Sequence, residues 1–313
     1  MVKGLREGLL SPQSVMALVA QAGARLGFTD RILQLLVGKI VPKEHEALLR
    51  YEPTAHDVFV ATFAKSGTNW AMQMCQQIAS RGTAEFEHIH QLVAWPEAPY
   101  AVVPLDDPGP QRSSPTGLRV IKTHLWAFAV PYDPAAKYVT IIRDPKEVVV
   151  SAYYFLLGLL GIRDRVSPAE WIELSLQDDR FPRQWAEHSM SYWLWRSKPN
   201  VLVRTFADLK ADHAGTVDAL AALMGVALSE AERAAVIERS TFSTMKSIDE
   251  RFAPPRTPLV RADQHPNMMR RGASGRADEL MGADARARLD EACRRQLRRL
   301  GSELPYDELF GGR

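Results

Sequence analysis

Four short runs rich in β-branched and apolar residues recur along the chain: "DVFVATF" at 57–63, "LRVIKT" at 118–123, "KYVTIIR" at 137–143 and "NVLVRTF" at 200–206. They are mostly apolar on both alternating faces, as expected of strands in a sheet covered on both sides. Helical periodicity appears near 69–80, 145–158, 168–177, 182–197, 212–224, 229–239 and 284–300. Parallel strands cannot be joined by tight hairpins, and such helices supply the long crossovers they need. The expected fold class is α/β, with a central parallel sheet flanked by helices on both faces.

With 313 residues, 46% of them hydrophobic, the chain can bury one large core. Its 39 basic and 37 acidic residues leave a net charge of +2. That balance argues against general binding to nucleic acid or anionic membrane, though not against a locally basic pocket. Two cysteines, Cys75 and Cys293, form no Cys-x-x-Cys pair, so neither a zinc site nor a disulfide framework is indicated. Sparse cysteine suits a reducing compartment, and a cytoplasmic location is expected. The first 28 residues lack an apolar run long enough for a signal peptide or membrane anchor and carry amphipathic helical spacing. Residues 1–50 are expected to form a helical extension packed on a main domain at 51–313. Pro- and Gly-rich stretches at 96–117 and 253–275 read as long loops.

The first strand runs into "AKSGTNW" at 64–70, where the chain must turn at Gly67 and start a helix near Thr68. The first amides of a helix lack intrahelical acceptors and carry partial positive charge, so a phosphate fits there. Lys65 adds a full charge; Ser66, Thr68 and Asn69 add short polar groups. A Walker-type loop is excluded, because Phe59 and Ala64 stand where its glycines would be. An ordinary strand–helix turn with an exposed lysine is the alternative. Trp70 is either a core residue or a flat surface for a purine.

"KTH" at 122–124 ends the second strand, and ligands of parallel α/β sheets bind outside the carboxyl ends of strands. Lys122 and His124 are therefore candidates to converge with Lys65, the histidine as a general base for a hydroxyl. "IIRDPKEVVVSAYYF" at 141–155 repeats the strand–turn–helix order, with Arg143 at the turn and Ser151 two turns along the helix. Arg270 and Arg271, followed by Gly272, suit a dianionic phosphate or form a solvated basic loop.

Together these segments resemble the cytosolic-type sulfotransferase family, which uses 3′-phosphoadenosine 5′-phosphosulfate (PAPS). The family's two signatures correspond to "AKSGTNW" at 64–70 and "RDPKEVVVS" at 143–151, with "KTHL" at 122–125 between them and "RRGASG" at 270–275 after. "WAEHSMSYW" at 185–193 is similar to a further family pattern. The resemblance implies a P-loop-like domain. It implies that Lys65, Ser66, Gly67, Thr68 and Asn69 hold the 5′-phosphosulfate and that Trp70 stacks on adenine. By the same resemblance Arg143, Ser151, Arg270, Arg271 and Gly272 hold the 3′-phosphate, and Ser240, Phe242 and Phe206 border the adenine. His124 is then the general base, with Lys65 and Lys122 neutralising charge on the leaving phosphate and transferred sulfonate. The product is adenosine 3′,5′-bisphosphate (PAP), and no metal is expected, since a singly charged sulfonate can be matched by fixed cations. The chain departs from the family pattern at Ala64, where proline is usual, at Phe206, where a tyrosine is usual, and after Gly275, where a tryptophan is missing. The family's dimer motif is not recognisable at 277–290, which leaves the oligomeric state open.

The acceptor is expected to be a small, hydrophobic molecule carrying a hydroxyl. Trp95, Tyr100, Trp126, Phe128 and His188 are candidates to line its pocket, against the alternative that they are core. A P-loop kinase would need Walker glycines and an acidic Mg²⁺ ligand, while a non-catalytic adenine-nucleotide module would need no base. A hydrolase is disfavoured by the lack of Gly-x-Ser-x-Gly.

Overall fold

The computed structural model describes residues 11–29, 31, 33, 45–270 and 277–311. Four strands, β1 (Asp57–Ala61), β2 (Arg119–Thr123), β3 (Lys137–Ile142) and β4 (Val201–Thr205), pair in parallel in the order β2-β1-β3-β4. Alternate residues of β1 enter different clusters. Val58 and Val60 pack with Met72, Cys75, Leu220 and Val236, while Phe59 packs with Leu125, Ala136 and Tyr138. The doubly apolar strand pattern is thus spent on two covered faces.

The principal helices are α1 (Pro12–Arg25), α2 (Thr68–Ala79), α3 (Pro145–Ala152), α4 (Pro168–Leu176), α5 (Arg180–Trp193), α6 (Phe206–Ala211), α7 (His213–Met224), α8 (Glu230–Arg239), α9 (Phe242–Ser247) and α10 (Ala283–Arg299). Seven lie where helical periodicity places them. α3 is shorter than the 145–158 pattern, because the chain widens into a π-helical turn at Tyr153–Leu157. Such turns often sit at functional sites. α6 and α9, of six residues each, are too short to register as periodicity, and each is started by a threonine cap, Thr205 or Thr241. The expected loop at 96–117 holds one short helix, Gly109–Ser113.

α1 is tied to the rest of the chain by Gln13 donating to the Pro99 carbonyl (3.2 Å) and Gln21 donating to the Leu259 carbonyl (2.9 Å). Ser14 and Thr257 share a buried hydroxyl contact of 2.6 Å. At the other end of the sequence, fully buried Lys146 at the start of α3 donates to Asp290 of α10 (2.6 Å) and to the Phe310 carbonyl (3.1 Å). Tyr306 donates to the same Asp290 oxygen at 2.6 Å. These bonds pin α10 and the last residues against the helix that follows β3.

Removing one partner of a buried ion pair leaves the other charge uncompensated, at a cost of about 3–5 kcal/mol. Once Asp290 is lost, Lys146 keeps one carboxylate, Asp144 at 3.3 Å, and the Phe310 carbonyl at 3.1 Å. Asp290→Ala is therefore expected to destabilise the fold by about 3 kcal/mol. Urea unfolding checks this, and an unchanged midpoint would remove the pair from the fold's supports.

Candidate functional site

The pairing of Ala61 with Thr123 brings the ends of β1 and β2 side by side, so the turn at 62–67 and the segment 122–125 leave the sheet together. The Thr62 amide donates to the Thr123 carbonyl (3.2 Å), and the His124 ring bonds the Thr62 carbonyl through Nδ1 (2.8 Å). A carbonyl can only accept, so Nδ1 carries the proton and the Nε2 lone pair is left available. Burial holds the imidazole well below its ordinary pKa, with the Lys122 charge adding to the effect, so the ring is neutral.

The turn itself is strained. Lys65 has φ of 66° and Gly67 of 97°, after which α2 begins at Thr68. A Cβ on Gly67 would lie 2.8 Å from Cδ2 of Phe206, so only glycine satisfies both the backbone angle and the close approach. The first intrahelical bonds come from Trp70 and Ala71, both to the Gly67 carbonyl at 3.1 Å. The Ser66 hydroxyl is buried and has no partner among the described residues. Buried polar atoms are ordinarily paired, so an orphan at a helix N-terminus marks a place for an anionic group.

Two lysines lie at the strand ends beside this turn. Lys65 Nζ lies 3.7 Å from the centre of the Phe155 ring, and Lys122 Nζ lies 3.3 Å from that of Trp95. Aromatic faces are weak substitutes for an anion. Removal from water lowers the Lys65 pKa to about 7, aided by the nearby Arg143 charge. Removal from water also lowers that of Lys122 to about 7, with Glu97 opposing and Lys65 adding. Arg143 donates to the Lys65 carbonyl (3.0 Å) and to Glu147 (3.0 Å), and its guanidinium lies 4.3 Å from the Phe206 ring centre.

Trp70 donates from Nε1 to the Ser240 carbonyl (2.9 Å) and meets Phe206 edge-on at 5.8 Å. Phe242 starts α9 two residues beyond Ser240 and is 37% exposed. Thr68 shares a 2.6 Å hydroxyl contact with Thr62, Asn69 is half-buried in the first turn of α2, and Ser151 is half-buried near the end of α3. Arg270 donates from Nη1 to both carboxylate oxygens of Glu279, at 2.7 and 2.9 Å, and lies over the Tyr154 ring. Arg271 and Gly272 lie outside the described residues.

The aromatic candidates divide. Trp95 meets His124 and Tyr100 edge-on, both at 5.7 Å. His188 is buried beside Phe63, and its Nε2 has no partner among the described residues. Trp126 meets Phe128, which is 58% exposed. None of the five lines the cavity of about 90 Å³ that adjoins Lys65, whose walls include Phe63, Phe155, Leu156, Trp171, Leu174 and Phe181. Three further residues escaped sequence reasoning: Phe155 on Lys65, His213 tilted onto Trp70 at 5.4 Å, and Glu97 at the end of β2. Glu97 alone carried a signal, as an acid in the otherwise uncharged "VAWPEAPY".

A family model described as "Sulfotransferase domain" matches residues 55–301, and the chain belongs to that family. Sulfotransferase 2B1 of Rattus norvegicus is 28% identical over 197 residues, covering 61% of this chain and 56% of that protein. Sulfotransferase 2A1 of Homo sapiens is 26% identical over 194 residues, 61% of this chain and 66% of that protein. The chain thus spans less than two thirds of the length of these relatives. Among solved structures, a retinol dehydratase in complex with androsterone and inactive cofactor PAP matches with a TM-score of 0.62 at 18% identity, over 85% of this chain and 90% of that one. A mouse sulfotransferase complexed with PAP matches with 0.57 at 19%, over 80% and 87%. These likenesses show a common fold.

The two lysines give a pH test of the site's electrostatics. An unfolded lysine titrates near 10.5, so between pH 7 and about 9 the unfolded chain binds more protons than the folded one. Stability therefore rises with pH over that window, above the imidazole range and below the thiols. Thermal melts of ligand-free protein are expected to show this rise, and Lys65→Met with Lys122→Met to flatten it.

Proposed function

We propose that the chain transfers a sulfonate group from PAPS to the hydroxyl of a small hydrophobic acceptor. The observation that carries this reading is the neutral His124, its Nε2 available, placed beside two desolvated ammonium groups and a helix N-terminus with an orphaned hydroxyl. PAP in the complexes of the fold neighbours supports the nucleotide assignment.

In this reading the amides at the start of α2, with Ser66 and Thr68, hold the 5′-phosphosulfate. Trp70, Phe206, Ser240 and Phe242 border the adenine, and Arg143, Ser151 and Arg270 hold the 3′-phosphate, joined by Arg271 and Gly272. His124 Nε2 takes the acceptor's hydroxyl proton as its oxygen bonds to sulfur and the sulfur–oxygen bond to the phosphate breaks. Lys65 and Lys122 balance the charge that develops on the leaving phosphate and the transferred group. The reaction in this form uses no metal ion.

The cavity beside Lys65 is the acceptor's place. Its aromatic and aliphatic walls suit an apolar alcohol or phenol, and androsterone and retinol in the complexes of the dehydratase neighbour are of that kind. A kinase reading lacks the Walker glycines, and a purely binding module does not explain a neutral imidazole in this setting.

Isothermal titration tests the reading. PAP is expected to bind clearly tighter than 5′-AMP, while tight ATP binding that depends on Mg²⁺ would overturn it. Loss of a general base costs about 100-fold or more in rate. His124→Ala is expected to lose sulfonation at least to that extent while PAP affinity stays within severalfold. A fully active alanine variant would remove His124 from the role.

A further inference from the structure

Ala94 makes an isolated parallel bridge to Ile121 of β2, and its carbonyl accepts from the Lys122 amide at 2.8 Å. That anchor sets the following residues along the end of the strand. Three residues on, Oε1 of Glu97 accepts from the Thr123 hydroxyl and from the His124 amide, the latter at 2.9 Å. The Thr123 hydroxyl in turn accepts from the Leu125 amide at 3.1 Å. One carboxylate oxygen therefore organises the backbone on both sides of His124. The second oxygen, Oε2, is buried with no hydrogen-bond partner among the described residues.

An orphaned carboxylate oxygen is expensive to bury, so its charge needs compensation nearby. Burial raises the Glu97 pKa and lowers that of Lys122, and each group's charge opposes the other's shift. The groups facing Lys122 are Glu97 from the loop, Lys65 from the turn, and the rings of His90, Trp95 and His124. Every one of these except Glu97 is neutral or cationic.

We propose that Glu97 is a positioning residue for the transfer: its Oε1 fixes the turn that aims His124, and its carboxylate is the acid set against Lys122. The inference rests on the sulfotransferase reading for its consequence in catalysis, but its two structural effects are measurable without turnover. The two effects also separate by variant. Glu97→Gln retains an oxygen that can accept from Thr123 and His124, and removes the charge. Glu97→Ala removes both.

NMR of the histidine ring nitrogens reads the His124 tautomer, and NMR titration of the lysine side-chain carbons reads Lys122, each assigned through its own substitution. In Glu97→Gln the Nδ1–H signature of His124 is expected to persist while Lys122 deprotonates about 1 pH unit lower or more, the size of losing an opposite charge at close range. In Glu97→Ala the tautomer signature is also expected to be lost or mixed. Glu97→Asp, which restores charge but not reach, is expected to recover the Lys122 titration alone. An unchanged Lys122 titration in the Gln variant, or an unchanged His124 signature in the Ala variant, would overturn the proposal. Titration with PAP on the same samples distinguishes the two layers: wild-type protein that fails to bind PAP refutes the sulfotransferase reading and leaves the Glu97 measurements standing. If Glu97→Ala does not fold, the Gln and Asp variants still decide the charge effect, and His124 in the Asp variant decides the geometric one.

Discussion

The hydrogen bond from the His124 ring to the Thr62 carbonyl ties together the ends of two parallel strands. It exists because β1 and β2 run in register up to Ala61 and Thr123, so both chains leave the sheet at one level. From that junction everything else in the site is measured. The Lys65 turn starts one side of it, Lys122 and Glu97 flank the other, and the tautomer that makes His124 a base is set by the bond itself. A parallel sheet offers such a junction only at its carboxyl edge, where strand ends are free of the ladder.

The electrostatics of this junction run against local stability. Three cations, Lys65, Lys122 and Arg143, gather where water is scarce, and the acids within reach, Glu97, Asp144, Glu147 and Asp249, answer only in part. Ring faces on Lys65 and Lys122 soften the penalty without cancelling it. Elsewhere the chain behaves differently: Lys146, equally buried, has two carboxylates and a carbonyl. Among these buried cations the unbalanced charge lies at the strand ends, as expected where a site is built at the expense of the fold. An anion entering there gains what the folded protein lacks.

Most of the fold was legible in the sequence because its strands are buried on both faces and its crossover helices are long. Val58, Phe59 and Val60 could serve opposite faces only in a covered sheet, and that pattern survives without knowledge of the partners. The strand-end residues Lys65, Lys122, His124 and Arg143 were legible for the same reason, since a strand's end is a place in the sheet as well as in the chain. Phe155 was not. Its position over Lys65 depends on a π-helical turn inside what reads as one continuous helix, and a single extra residue per turn leaves no mark on apolar periodicity. His213 was hidden because it meets Trp70 through a fold-back across α6, a helix too short to announce itself.

The same division bears on how a site of this kind can vary. The reactive groups sit on β1, β2 and β3 ends, fixed by sheet register and by glycine at a backbone angle no other residue accepts easily. Most of the cavity wall is drawn instead from α3, α4, α5 and the π-helical turn, with Val148, Phe155, Trp171, Leu174 and Phe181 among the lining residues, and Phe63, Ala64 and Lys65 close it on the strand side. Exchanging one apolar side chain for another there alters shape by a few methylenes and leaves the junction untouched. Phe155 is the exception, because its ring faces the cavity and Lys65 at once. A change at that position alters acceptor fit and the environment of the ammonium together, so it couples the variable half of the site to the fixed half.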